Sequence, residues 1–171
     1  MIHCQFKDLS DISWSDGLTV RSLSLRNLSV RGYSIHNFHL DPIFEYTPHL
    51  QRFAMNFDPY YFPYQDLSSD ALSIKALDLR LDYACDSMQD LSKDLPNLSK
   101  LIVHMDESYI DGHEWKYSVT DYLPKLKVFW LWMTFDSSSK TDTERIVDKL
   151  LDTFRIDFWV EERKWFVRFA G

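Results

Sequence analysis

Three side chains that could hold a metal ion lie within ten positions of one another: His104, Asp106 and His113. Two imidazoles and a carboxylate suit zinc, but the spacing matches no compact zinc motif and no cysteine is near, so they read as solvated loop residues. Cys85, beside Ala84 and Met88, has no basic residue or histidine close in sequence to lower its pKa, and it reads as a small core residue and not a nucleophile. No G-x-S-x-G, Walker loop or H-E-x-x-H occurs, and Gly17, Gly32, Gly112 and Gly171 cannot supply a phosphate-cradling loop. The expectation is no catalysis, no metal and no cofactor. The chemistry that remains is recognition, carried by Arg26, Arg52, Asn56, Asp78, Arg80, Lys100, His104, Trp130 and Trp132. Solvent-facing tryptophan with arginine nearby is the composition of a binding hot spot.

The unit that places these residues is seen most plainly at Leu95 to Val103, LPNLSKLIV, and again at Leu123 to Leu131, LPKLKVFWL. A proline stops the preceding helix, and the apolar pattern LxxLxL leads a short strand in from the loop. Aligning every match gives leading residues Val20, Leu50, Ile74, Leu98 and Leu126, in steps of 30, 24, 24 and 28 residues. The places three and five further on are Leu23 and Leu25, Phe53 and Met55, Leu77 and Leu79, Leu101 and Val103, Phe129 and Leu131, all apolar. Steps of this size fit leucine-rich repeats, whose usual length is about 20 to 29 residues. The ninth place, which in such repeats turns a polar side chain inward to the backbone of the bend, reads Leu28, Asp58, Asp82, Asp106 and Thr134. Inward acceptors and ordinary turn aspartates are both open readings.

Residues between the apolar places point to the other side of each strand, the concave side of such an array. They are Ser22, Ser24 and Arg26, then Arg52, Ala54 and Asn56, then Ala76, Asp78 and Arg80, then Lys100, Ile102 and His104, then Val128, Trp130 and Trp132. Either the two tryptophans face solvent, or the final helix, the terminal hairpin or a missing segment covers them. Helices are expected at Phe38 to Tyr46, Asp86 to Asp94, Asp111 to Tyr122 and Thr141 to Phe154, from apolar residues at a spacing near 3.6. Asp58 to Ser69, DPYYFPYQDLSS, reads as a long aromatic loop. Phe158 to Phe169 reads as a β-hairpin of two apolar strands around a charged turn, closing the last edge of the sheet.

The chain of 171 residues is 45% hydrophobic and 16% aromatic, enough to bury a substantial core as one domain spanning residues 1–171. A net charge of -7 argues against general nucleic-acid affinity, and no stretch approaches a membrane span. Two cysteines and a charged start, MIHCQFKDLSD, point to a reduced cytoplasmic or nuclear setting.

The succession DGHEW, YLPKLKVFWLWMTF, an amphipathic helix and FRIDFWVEERKWFVRF resembles the C-terminal part of F-box proteins with degenerate leucine-rich repeats, over roughly residues 47 to 169. The resemblance implies a substrate receptor of an SCF-type ubiquitin ligase, in which an F-box holds the adaptor and the repeats hold the substrate. Residues 1 to 19 are too short for an F-box. The chain is then a fragment of a longer protein or a repeat-only relative, and an SCF adaptor is a partner only if an F-box lies upstream. The expected fold is an α/β solenoid of about five to six repeats with a C-terminal hairpin cap. Its expected function is to bind a protein partner, with a small-ligand receptor built on the concave aromatics as the alternative.

Overall fold

Four turns of one design feed the central strands. In the computed structural model, which describes residues 4–5, 21–31, 40–57, 69–82, 88–106, 109–135, 140–165 and 167–170, the N–H groups of Leu50, Ile74, Leu98 and Leu126 each donate to the carbonyl three residues back, at 2.9 to 3.0 Å. Pro48, Pro96 and Pro124 occupy the second place of three of these turns, where a preset φ near -65° costs nothing. Next, Gln51, Lys75, Ser99 and Lys127 donate to the carbonyls of Arg26, Gln51, Lys75 and Ser99, one unit earlier. Each of those carbonyls also accepts the following N–H, from Arg52, Ala76, Lys100 and Val128, and the eight bonds run from 2.8 to 3.1 Å. Each of these four strands therefore starts level with the one before it.

The strands are β1 (Cys4–Gln5), β2 (Asn27–Arg31), β3 (Arg52–Phe57), β4 (Ala76–Asp82), β5 (Lys100–Asp106), β6 (Val128–Thr134) and β7 (Val167–Ala170). They form one parallel sheet in which spatial order equals sequence order. Successive side chains take opposite faces. Phe53, Met55, Leu77, Leu79, Leu101, Val103, Phe129 and Leu131 are all buried on one face, as their places in the pattern require. Against that face pack α1 (Leu40–Tyr46), a 3₁₀ turn (Ser69–Ser73), α2 (Met88–Lys93), α3 (Gly112–Tyr122) and α4 (Lys140–Thr153). Asp111 caps α3 through Oδ1, which accepts from the N–H groups of His113 and Glu114. The architecture is an alternating α/β fold with a parallel sheet.

Two expectations need correction. The first strand is not built on Val20, Leu23 and Leu25: Leu23 is 60% exposed, Val20 lies outside the described residues, and the register pairs Leu28 with Phe53 and Val30 with Met55. The leading residue is Leu25, half-buried against the core, and the step to Leu50 becomes 25 residues. The expected hairpin at the C-terminus is instead a π-helical turn (Phe158–Glu162) followed by β7, which runs parallel to β6. Phe158 and Trp159 are neighbours in sequence and both buried; a strand would send them to opposite faces, whereas a helical turn lets both reach one core. The loop from Asp58 to Ser69 lies outside the described residues up to residue 68, as does Cys85.

Trp115 fills the core behind β6, its ring 4.9 Å from that of Phe129. Its indole Nε1 is buried and finds no acceptor among the described residues. An unmet buried donor costs about 1 to 3 kcal/mol, which offsets much of the burial gained by the larger ring. Trp115→Phe is therefore expected to lie within about 1 kcal/mol of the wild type in urea melts, against about 3 to 5 kcal/mol for Trp115→Ala. A loss for Phe as large as that for Ala would show that the indole N–H is satisfied.

Candidate functional site

The face of the sheet turned away from the helices is where the predicted residues meet. Register places Arg52, Ala76, Lys100 and Val128 in one row, Ala54, Asp78, Ile102 and Trp130 in the next, and Asn56, Arg80, His104 and Trp132 in a third. Of the nine residues expected to carry recognition, eight stand in these rows. Arg26 does not. It precedes β2 and its guanidinium donates to the carbonyls of Leu23 and His49, so it braces two turns at the edge of the face. The side chain of Asn56 lies outside the described residues.

Trp130 is 63% exposed, with the ammonium of Lys100 5.8 Å from its ring centre, inside the range of a cation–π contact. Trp132 is less open, at 36%, and the imidazole of His104 stacks on it at 6.2 Å. Arg80 is committed rather than free: Nε and Nη2 reach Asp106 Oδ2 at 3.0 and 2.9 Å. The Thr134 hydroxyl donates to the other carboxylate oxygen of Asp106. That arrangement decides against an inward acceptor for the ninth place at Asp106. Asp106 falls on the open face, in phase with Lys100, Ile102 and His104, where it serves a surface ion pair worth at most about 1 kcal/mol. Leu28 belongs instead to β2, half-buried against the core.

Between β2 and β5 the open face sinks into a trough of about 570 Å³, continued by a smaller one of about 280 Å³ beside Arg80 and His104. Small residues, Ser29, Ala54 and Ala76, make its floor, and Arg52, Lys75 and Lys100 stand along one side with Asp78 as the acid among them. Lys75 escaped the reading of outward strand positions because it sits one residue before β4. The signal for it was its equivalence to Gln51 and Ser99, the residues immediately before β3 and β5.

Among the described residues no three histidine, cysteine or carboxylate side chains converge to hold a metal. His104 is on β5 and His113 is in the first turn of α3, so the trio adjacent in sequence is divided between sheet and helix. On the helical side the hydroxyls of Tyr117 and Tyr122 lie 3.1 Å apart; that hydrogen bond, with the charge of Asp121, lifts Tyr117 above the ordinary phenol range. The Tyr117 phenol therefore stays protonated near neutral pH. No helix among the described residues is long and apolar enough to cross a membrane. No family model matches the chain, and neither a curated protein nor a solved structure matches it.

Proposed function

We propose that the chain is a leucine-rich-repeat-like interaction module that binds a protein partner on the open face of its sheet. The observation that carries the reading is Trp130, a large apolar side chain 63% exposed in the middle row of that face, on β6, with Lys100 beside it. Parallel sheets are ordinarily covered on both faces, so a parallel sheet with helices on one side invites a covering from outside. The identical turns and strand entries at Leu50, Ile74, Leu98 and Leu126 support a repeat origin. The resemblance adds that such a module holds the substrate of a ubiquitin ligase if an F-box is joined to it, whereas a repeat-only relative binds its partner without recruiting a ligase.

Trp130→Ala is expected to weaken partner binding by about 2 kcal/mol or more and to leave the melting midpoint nearly unchanged. Trp132→Ala is expected to cost stability as well, since it removes the stack on His104. The measurement is quantitative capture from cell extract by the wild-type and variant chains, with purified ligase adaptor as a separate probe. Equal capture by Trp130→Ala would remove the face as the site, and adaptor binding by this chain alone would contradict an F-box-dependent role.

A second reading is favoured by one observation, the trough of about 570 Å³. That volume is inside the roughly 300 to 1,000 Å³ of small-molecule sites. A ligand there would raise the melting midpoint with the logarithm of one plus its concentration over Kd, and Trp130→Ala would leave that shift in place.

A further inference from the structure

We infer that the partner segment seated on this face is acidic: an extended peptide crossing the strands, its anionic side chains on Arg52, Lys75 and Lys100 and a following apolar side chain on Trp130. The inference rests on the protein-binding reading of the open face and names the chemistry of what binds there.

The trough is charged against the trend of the whole molecule. The chain has a net charge of -7, yet the trough is lined by three cations, Arg52, Lys75 and Lys100, and one anion, Asp78. None of these three cations enters an ion pair among the described residues, in contrast to Arg80, which is held by Asp106. The shared register of the strands brings the cations together at one end of the face. Arg52 and Lys100 open β3 and β5 at equivalent places, and Lys75 enters β4 between them. A focused patch of one sign attracts the opposite charge and steers its encounter.

The dimensions suit a peptide. Arg52 and Lys100 are two strands apart, about 9.6 Å at the usual sheet spacing, close to the roughly 9.3 Å spanned by three residues of a polyproline II chain, whose three-residue turn brings side chains three apart to the same side. The floor of Ser29, Ala54 and Ala76 lets a backbone lie low. Beyond Lys100, whose ammonium already sits over the ring, Trp130 offers an apolar surface to the next side chain. Carboxylates and phosphates share the chemistry that Arg52 and the lysines recognise. A nucleic acid supplies phosphates too, but the acidic remainder of the molecule repels a polyanion that extends past the trough.

The test uses the full chain and labelled peptides read by fluorescence anisotropy at two salt concentrations. The probes are a peptide with two glutamates three residues apart followed by leucine, its glutamine counterpart, a version with phosphoserine for glutamate, and an oligothymidylate of equal charge. The glutamate peptide is expected to bind about tenfold more tightly than the glutamine one. Arg52→Glu and Lys75→Glu are each expected to lose about five- to tenfold and to flatten the salt dependence, with unchanged melting midpoints. Tighter binding of the phosphoserine peptide, lost in the same variants, would support the inference and assign the anion to phosphate. Equal binding of the glutamate and glutamine peptides, or failure of the glutamate peptide to bind, overturns it, as does an oligothymidylate that binds as tightly as the glutamate peptide. If Trp130→Ala abolishes capture of a partner while Arg52→Glu and Lys75→Glu do not, the protein-binding reading survives and the acidic partner is rejected.

Discussion

Trp159→Ala is expected to destabilise the protein by about 3 to 5 kcal/mol, the range for removing a large buried aromatic side chain. The indole is 1% exposed and touches four rings, those of Phe129, Phe154, Phe158 and Trp165, at centroid distances between 4.8 and 6.0 Å. Its Nε1–H donates to the carbonyl of Gly112 at 3.1 Å, so one side chain joins the π-helical turn to the start of α3 and to the core behind β6. Truncation leaves a cavity and removes the hydrogen bond together. Trp159→Phe separates the two effects, since it keeps most of the packing and loses the hydrogen bond. Its loss should fall well short of that for alanine. Urea melts of the three proteins decide the matter, and an alanine midpoint close to the wild type would mean that the C-terminal turn is only loosely docked.

Gly112→Ala is expected to cost about 3 kcal/mol, although it adds one methyl group. A Cβ at this position would stand 2.3 Å from the carbonyl oxygen of Thr153 and 2.9 Å from its hydroxyl. Neither can withdraw freely: the hydroxyl accepts from the Gly112 N–H at 2.7 Å and donates to Leu150 O at 2.6 Å, and the carbonyl is main chain at the end of α4. Overpacking ordinarily costs about 1 to 3 kcal/mol, and a clash with main chain belongs at the upper end. Thr153→Ala should fail to rescue the variant, because the nearest atom remains in place. Recovery of the wild-type midpoint in the double variant would mean that α4 shifts to make room.

The central sheet was legible because two constraints agreed there. At Leu98, Leu101 and Val103 the alternation that defines a strand coincides with a proline-led turn, and the turns into Leu50, Ile74 and Leu126 make the same bonds, the one at Ile74 without a proline. The outward rows, and with them Trp130, followed from the same alternation. The first unit was misplaced because LRNLSV at Leu25 to Val30 competes with VRSLSL at Val20 to Leu25, and pattern alone does not choose between overlapping matches. The hydrogen bond from Gln51 N to Arg26 O makes the choice, and it lies between residues 25 apart. The C-terminal turn was misread because charges between two apolar runs fit a hairpin as well as a helical turn. What decides is that Phe158 and Trp159 share one core, a fact about tertiary packing. Gly112 carried no local signal beyond its place after a capping aspartate, since its role depends on Thr153, which is 41 residues away.

The order of the sheet also bears on how the chain acquires it. Each strand is bonded to the strands before and after it in sequence, and from β2 to β6 the offsets between paired residues are 25, 24, 24 and 28. The entropy lost in closing a loop grows only with the logarithm of its length, and here the length hardly changes from one addition to the next. Ordering β4 onto β5 thus asks the same of the disordered chain as ordering β3 onto β4. No strand must wait for a distant one, and assembly can begin at whichever pair is most stable and spread from it in both directions.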